Sequence, residues 1–195
     1  MTVPRRWMRV RALSLAVPAF MLGGAPAEAH LVTTGLGPVY DGISHFLGSP
    51  EDLVPVVALA LLAGQCGLFM LPAAWLAGAL AGLAAAATPP PDPSWLVFVL
   101  LGGLVAAYLR PPQAVVTAIA CGLGFFNGFI DGSGMSSPAA SVLSLIGIAA
   151  TVFVVTALPA AVVVAFTWPP AKIAFRVLGS WTTATGMLML GWSLR

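Results

Sequence analysis

The chain has 195 residues and a formal net charge of +2, and 59% of its residues are hydrophobic whereas only 7% are charged. Soluble domains carry about 25% charged residues, so this composition excludes a soluble protein and predicts an all-α integral membrane protein. Half of the basic residues lie in the first eleven positions, so no basic face for nucleic acid is expected.

The first 29 residues have the three parts of a secretory signal peptide. A cluster of arginines precedes a short apolar core, and Ala27-Glu28-Ala29 has the small-residue pattern of a cleavage site. We therefore predict a signal peptide at residues 1–29, with an uncleaved first helix as the alternative. Both interpretations put the chain that follows outside the cytoplasm.

Cleavage after Ala29 would make His30 the first residue of the mature protein. Its free amine and its imidazole could then chelate one metal ion together, so His30 is a candidate metal ligand. The alternative is that His30 only happens to be the first mature residue.

Residues 30–195 are predicted to form a single membrane domain with six transmembrane helices. A span needs about 20 apolar residues, and proline-rich turns separate the apolar runs of this chain. Residues 31–47 are too few and too rich in glycine to cross, so they are predicted to form a short re-entrant or interfacial helix at the outer face. The predicted spans are residues 53–71, 73–87, 95–109, 113–130, 142–168 and 173–192.

The basic residues between the spans set the predicted orientation. With the mature N-terminus outside, Arg110, Lys172 and Arg176 face the cytoplasm, as the positive-inside rule requires. The acidic residues of the mature chain then all face outward: Asp41, Glu51, Asp52, Asp92 and Asp131. This placement suggests an outer mouth that attracts cations; the alternative is that acids simply avoid the basic side.

A histidine and several carboxylates lie within a dozen residues just before the first span. Asp41 and His45 are four residues apart, so a helix would present both on one face. Imidazole suits first-row metals such as nickel, copper and zinc, and a neighbouring carboxylate adds a second ligand. The pair is therefore a candidate metal site, and a polar boundary before a membrane helix is the alternative.

Asn127 and Asp131 repeat the four-residue spacing at the end of the fourth span. Three glycines with the same spacing would let another helix approach closely: Gly124, Gly128 and Gly132. If the first and fourth spans are neighbours, Asp41, His45, Asn127 and Asp131 make a four-ligand metal site near the outer surface. Alternatively, Asn127 and Asp131 cap a helix and pair with its backbone.

The remaining residues give no sign of an enzyme. Phosphate-binding loops and nucleophile arrangements are absent from the sequence, and no prosthetic group is expected. Cys66 and Cys121 lie inside apolar runs, where cysteine is usually a small packing residue.

The motif ahead of the first span also carries a family resemblance. It reads Gly35-Leu36-Gly37-Pro38-Val39-Tyr40-Asp41-Gly42-Ile43-Ser44-His45, followed by Ser49-Pro50-Glu51-Asp52-Leu53. With the His-Leu-Val-Thr-Thr start of the mature chain, the signal peptide and the six-span layout, it resembles the HupE/UreJ family of hydrogenase and urease accessory membrane proteins.

The resemblance implies a nickel or cobalt permease of the bacterial inner membrane, with the mature N-terminus on the periplasmic side. In the better-known branch of that family, an early His-x5-Asp-His motif and a later His-Gly-x-x-His-Gly pattern are thought to bind the metal. Here the adjacent Asp-His pair is absent, and Asn127 and Asp131 stand where the later histidines are expected. Fewer imidazoles imply a harder site that is richer in oxygen.

Two functions therefore remain open. The first is a permease or facilitator that supplies nickel or cobalt for hydrogenase or urease maturation. The second is a non-transporting accessory protein that holds metal or is a scaffold for enzyme maturation. The expected partners are a divalent metal ion, the lipid bilayer and metalloenzyme maturation proteins.

Overall fold

The structure, a computed structural model, describes residues 34–63, 70–85, 94–133 and 138–194. These residues form helices and no strand, as the all-α prediction requires. In chain order the helices are α1 (Pro38–Gly48), α2 (Pro50–Ala63), α3 (Met70–Ala85), α4 (Ser94–Ala106), α5 (Gln113–Ser133), α6 (Pro138–Ala165) and α7 (Pro169–Ser193). The predicted signal peptide and His30 lie outside the described residues.

A sharp bend separates the first two helices. Ser49 has an extended backbone between them, as is favoured for a residue that precedes a proline, and α2 begins at Pro50. The axes of α1 and α2 differ by 75°, so the pair is either a broken span or a re-entrant loop. With 11 residues, α1 is about 16 Å long and too short to cross a bilayer alone. A short helix therefore precedes the first predicted span, as expected.

Within the described residues, two helical segments are long and apolar enough to cross a membrane. They are Gln113–Ser133 and Val142–Ala165, and the bent pair makes a third if it counts as one span. The apolar segments Ala73–Ala85 and Ser94–Ala106 are shorter, and α7 is less apolar than either. Length and composition thus support a membrane protein, whereas the count of six spans stays a prediction.

Glycines bring α3 and α5 into backbone contact. A Cβ added at Gly128 would overlap the carbonyl oxygen of Trp75, and one added at Gly132 would overlap that of Ala79. The reciprocal contact is made by Gly78 of α3 against the carbonyl of Phe125. The close packing predicted from these glycine spacings is therefore confirmed.

Similar contacts hold α1 against α6. Gly42 lies against the backbone of Ser144, and the Ser144 hydroxyl donates a hydrogen bond to the Pro38 carbonyl at 2.9 Å. The buried core lies beneath this contact and includes Phe46 of α1 together with Leu59 of α2 and Ile148 of α6. The contacts of Pro38 and Gly42 hold the first half of α1 against α6, and the buried Phe46 holds its last turn, which carries His45.

Candidate metal site

The structure brings a histidine of α1 next to an aspartate of α5. His45 lies in the last turn of α1 and Asp131 near the end of α5. The Nε2 atom of His45 is 3.6 Å from Oδ1 of Asp131, and the two side chains are only 13% and 6% exposed. The short helix that precedes the first predicted span thus lies against the C-terminal end of α5, which contains the fourth predicted span.

Asp52 completes a group of three possible ligands. Each of His45, Asp52 and Asp131 offers one atom, and these atoms all lie within 4.8 Å of one another. Asp52 lies in the first turn of α2, directly after the bend. In a straight helix, residues seven apart are separated by about 10 Å along the axis. The bend at Ser49 therefore makes it possible for Asp52 and His45 to face one another.

Trp75 of α3 binds the second oxygen of Asp131. Its Nε1–H donates to Oδ2 of Asp131 at 2.7 Å, and the Trp75 side chain is fully buried. Phe46, the neighbour of His45 in the chain, packs edge to face on the Trp75 ring with the centroids 5.5 Å apart. Because an indole N–H can only donate, Oδ2 of Asp131 is the acceptor in this bond.

The structure does not bring Asp41 into this group. Its Oδ1 accepts hydrogen bonds from the backbone N–H and the hydroxyl of Thr34, both at 2.6 Å. Asp41 is not one of the three residues of the group, and its action as a pair with His45 stays a prediction. Asp41 holds the segment that leads into α1, since a short acidic side chain near a helix start readily bonds nearby backbone N–H groups.

Asn127 lies one helical turn before Asp131 on α5 and is half-buried. Residues four apart share one face of a helix, so Asn127 is on the side of α5 that carries Asp131. His30 lies outside the described residues.

Two residues of this arrangement were missed by the sequence analysis. The spacing in the sequence could have indicated Asp52, because five residues separate His45 from Glu51-Asp52. That spacing matches the His-x5-Asp-His motif of the family it resembles, with Asp52 at the second histidine. Trp75 had no such signal, because it is 56 positions from Asp131 in the chain.

One imidazole and two carboxylates make a donor set that suits a divalent first-row metal ion. The group offers two carboxylates and one imidazole. Asp131 stands where the family pattern would have a histidine, which makes the group richer in oxygen. The ligands come from α1, α2 and α5, and an ion bound there would connect all three helices.

The comparisons with known proteins agree with this reading of the sequence. The model of the family described as HupE / UreJ protein matches residues 18–189, which is most of the chain. Neither a curated protein nor a solved structure gives a significant match. On the strength of the family match, the chain belongs to the HupE/UreJ family.

Proposed function

We propose that this protein is a permease or facilitator for a divalent transition metal, nickel or cobalt, that supplies hydrogenase or urease maturation. The group formed by His45, Asp52 and Asp131 carries the proposal. In an apolar chain, ionisable side chains that are half-buried and clustered are the expected mark of an ion pathway. Membership of the HupE/UreJ family supports the same function.

In this proposal His45, Asp52 and Asp131 are the first ligands of the incoming ion. Asn127 adds an amide oxygen from the same face of α5, and the amine and imidazole of His30 add donors after signal-peptide cleavage. Asp41 contributes through its negative charge and through its hold on Thr34.

The proposed topology has six spans in the bacterial inner membrane, with the mature N-terminus in the periplasm. Arg110, Lys172 and Arg176 then face the cytoplasm, which agrees with the positive-inside rule. The ligand group lies at the opposite, periplasmic mouth, where it meets the ion first.

Uptake of radiolabelled nickel tests the proposal. Cells expressing the wild type or His45→Ala at matched membrane levels are compared with the empty vector, and cobalt, zinc and copper serve as competitors. We expect His45→Ala to reduce uptake to the empty-vector level, because the substitution removes the one imidazole of the group. Normal uptake by His45→Ala would refute the assignment of the site.

A non-transporting, metal-holding accessory protein is the second candidate function. The buried hydroxyls of α6 favour it, because Thr151 and Thr156 donate to carbonyls of their own helix, those of Gly147 and Val152. The protons of these hydroxyls are therefore bonded within α6, whereas a proton-coupled pathway would pass them between groups. Absence of uptake for all four metals, with metal binding by the purified protein, would support this function instead.

A further inference from the structure

We propose that Trp75 is a positioning residue that restricts Asp131 to binding the ion through one oxygen, and that this restriction favours nickel over larger, oxygen-preferring ions. The inference rests on the proposed function, since it requires a metal ion at the group of His45, Asp52 and Asp131.

The two oxygens of Asp131 face different partners. Oδ2 accepts the Trp75 Nε1–H at 2.7 Å, and Oδ1 lies 3.6 Å from His45 Nε2. An ion held between His45 and Asp131 therefore meets Oδ1, while Oδ2 is already occupied by a short hydrogen bond. Bidentate binding by Asp131 would require that bond to break.

The Trp75 ring is fully buried and packs edge to face against Phe46, so it cannot easily follow a movement of Asp131. The Trp75 carbonyl lies against Gly128, where even a methyl group would not fit. The same α3–α5 contact thus fixes the donor, Trp75, and the helix that carries the acceptor, Asp131.

The number of carboxylate oxygens that bind the ion changes the relative affinities of the site for nickel and manganese. Manganese prefers oxygen donors, whereas imidazole suits nickel. If Oδ2 becomes free, the site gains an oxygen ligand, which favours manganese. If the site merely loosens, both ions lose affinity together. The ratio of the nickel and manganese affinities therefore distinguishes positioning from a purely structural role.

The test uses the purified full-length protein in detergent, with Ni²⁺ or Mn²⁺ alone as the titrant in calorimetry. Trp75→Phe removes the N–H donor and keeps an aromatic ring. Incorporation of benzothienylalanine at position 75 replaces the N–H by sulfur and keeps the shape of the indole, which guards against a folding defect. Trp181→Phe is the matched control, because Trp181 of α7 is 69% exposed.

Both changes at position 75 should weaken nickel binding by about 10- to 100-fold, as is usual when the hydrogen-bond partner of a metal ligand is lost. The affinity for manganese should fall less, so the ratio of the nickel affinity to the manganese affinity should decrease. Trp181→Phe should bind both ions as the wild type does. In an Asp131→Ala background, Trp75→Phe should have no further effect.

Other results would overturn the inference. Unchanged nickel affinity in both position-75 proteins would do so, as would equal losses for nickel and manganese. A loss confined to Trp75→Phe would show that only the shape of the indole matters. If the wild type binds neither ion, the proposed function itself fails, and the inference fails with it. If the wild type binds nickel and the position-75 proteins give one of the results above, only the inference about Trp75 fails.

Discussion

At the scale of single residues, Glu51 and Asp52 show how neighbouring carboxylates can have different roles. Both lie in the first turn of α2, but only Asp52 offers an oxygen within 4.8 Å of the ligand atoms of His45 and Asp131. Glu51 is not a member of this group. Of these two adjacent carboxylates, only Asp52 is therefore a candidate ligand.

Asp52→Asn should weaken nickel binding by at least about tenfold. Loss of a residue that only hydrogen-bonds a metal ligand already weakens binding by about that much, and loss of a charged ligand should cost no less. The substitution keeps the size of the side chain but removes its negative charge. Calorimetric titration of the purified protein measures the change. Glu51→Gln, one position away with the same charge loss, is the control and should cause a clearly smaller loss. Equal losses in the two variants would mean that the group attracts the ion by net charge alone.

At the scale of the helices, the α3–α5 contact determines where the site residues lie. This contact depends on glycines whose missing side chains let two backbones meet. Trp75 and Asp131 are brought together on this pair of helices, and the bend between α1 and α2 adds His45 and Asp52. The geometry of the site is therefore a property of the helix packing.

Gly128→Ala should destabilise the protein by about 1–3 kcal/mol, the usual cost of overpacking a well-packed contact. The new Cβ would overlap the Trp75 carbonyl, so α3 and α5 must move apart. The midpoint of thermal unfolding in detergent measures the effect. Gly122→Ala on the same helix meets nothing within 4 Å and should leave the midpoint unchanged or slightly raised. A midpoint for Gly128→Ala that equals that of Gly122→Ala would contradict the contact.

At the scale of the whole molecule, the main question is which end of the helices faces the periplasm. In the part of the chain that the structure describes, two or three segments can span by length and composition, and the proposed orientation follows from the basic residues between the predicted spans. If that orientation is correct, the ligand group opens to the periplasm.

Labelling of single cysteines tests this orientation. In a background with Cys66→Ala and Cys121→Ala, Leu36→Cys should react with a membrane-impermeant maleimide in intact spheroplasts. Pro112→Cys should react only after permeabilisation. Both positions are exposed on the protein surface, so a difference in labelling reports the side of the membrane. The reverse pattern would invert the topology and place the ligand group on the cytoplasmic side.

The sequence by itself determined the class of the protein. Its apolar composition predicted membrane helices, its glycine spacing predicted close helix contacts, and the motif before the first span indicated the family that the comparison then identified. These properties are local or compositional, so they can be read without knowing which helices are neighbours. Polar residues are rare in this chain, and for that reason His45 and Asp131 could be selected as candidates.

Only the tertiary structure decided which candidates share a site. Asp41 is one helical turn from His45, yet its Oδ1 accepts a hydrogen bond from the Thr34 hydroxyl. Asp52 joins the group because the chain bends at a single extended residue, and Trp75 joins because glycines let α3 and α5 touch. Distances between side chains on different helices depend on bends and on backbone contacts, and neither is set by the spacing of residues along one helix.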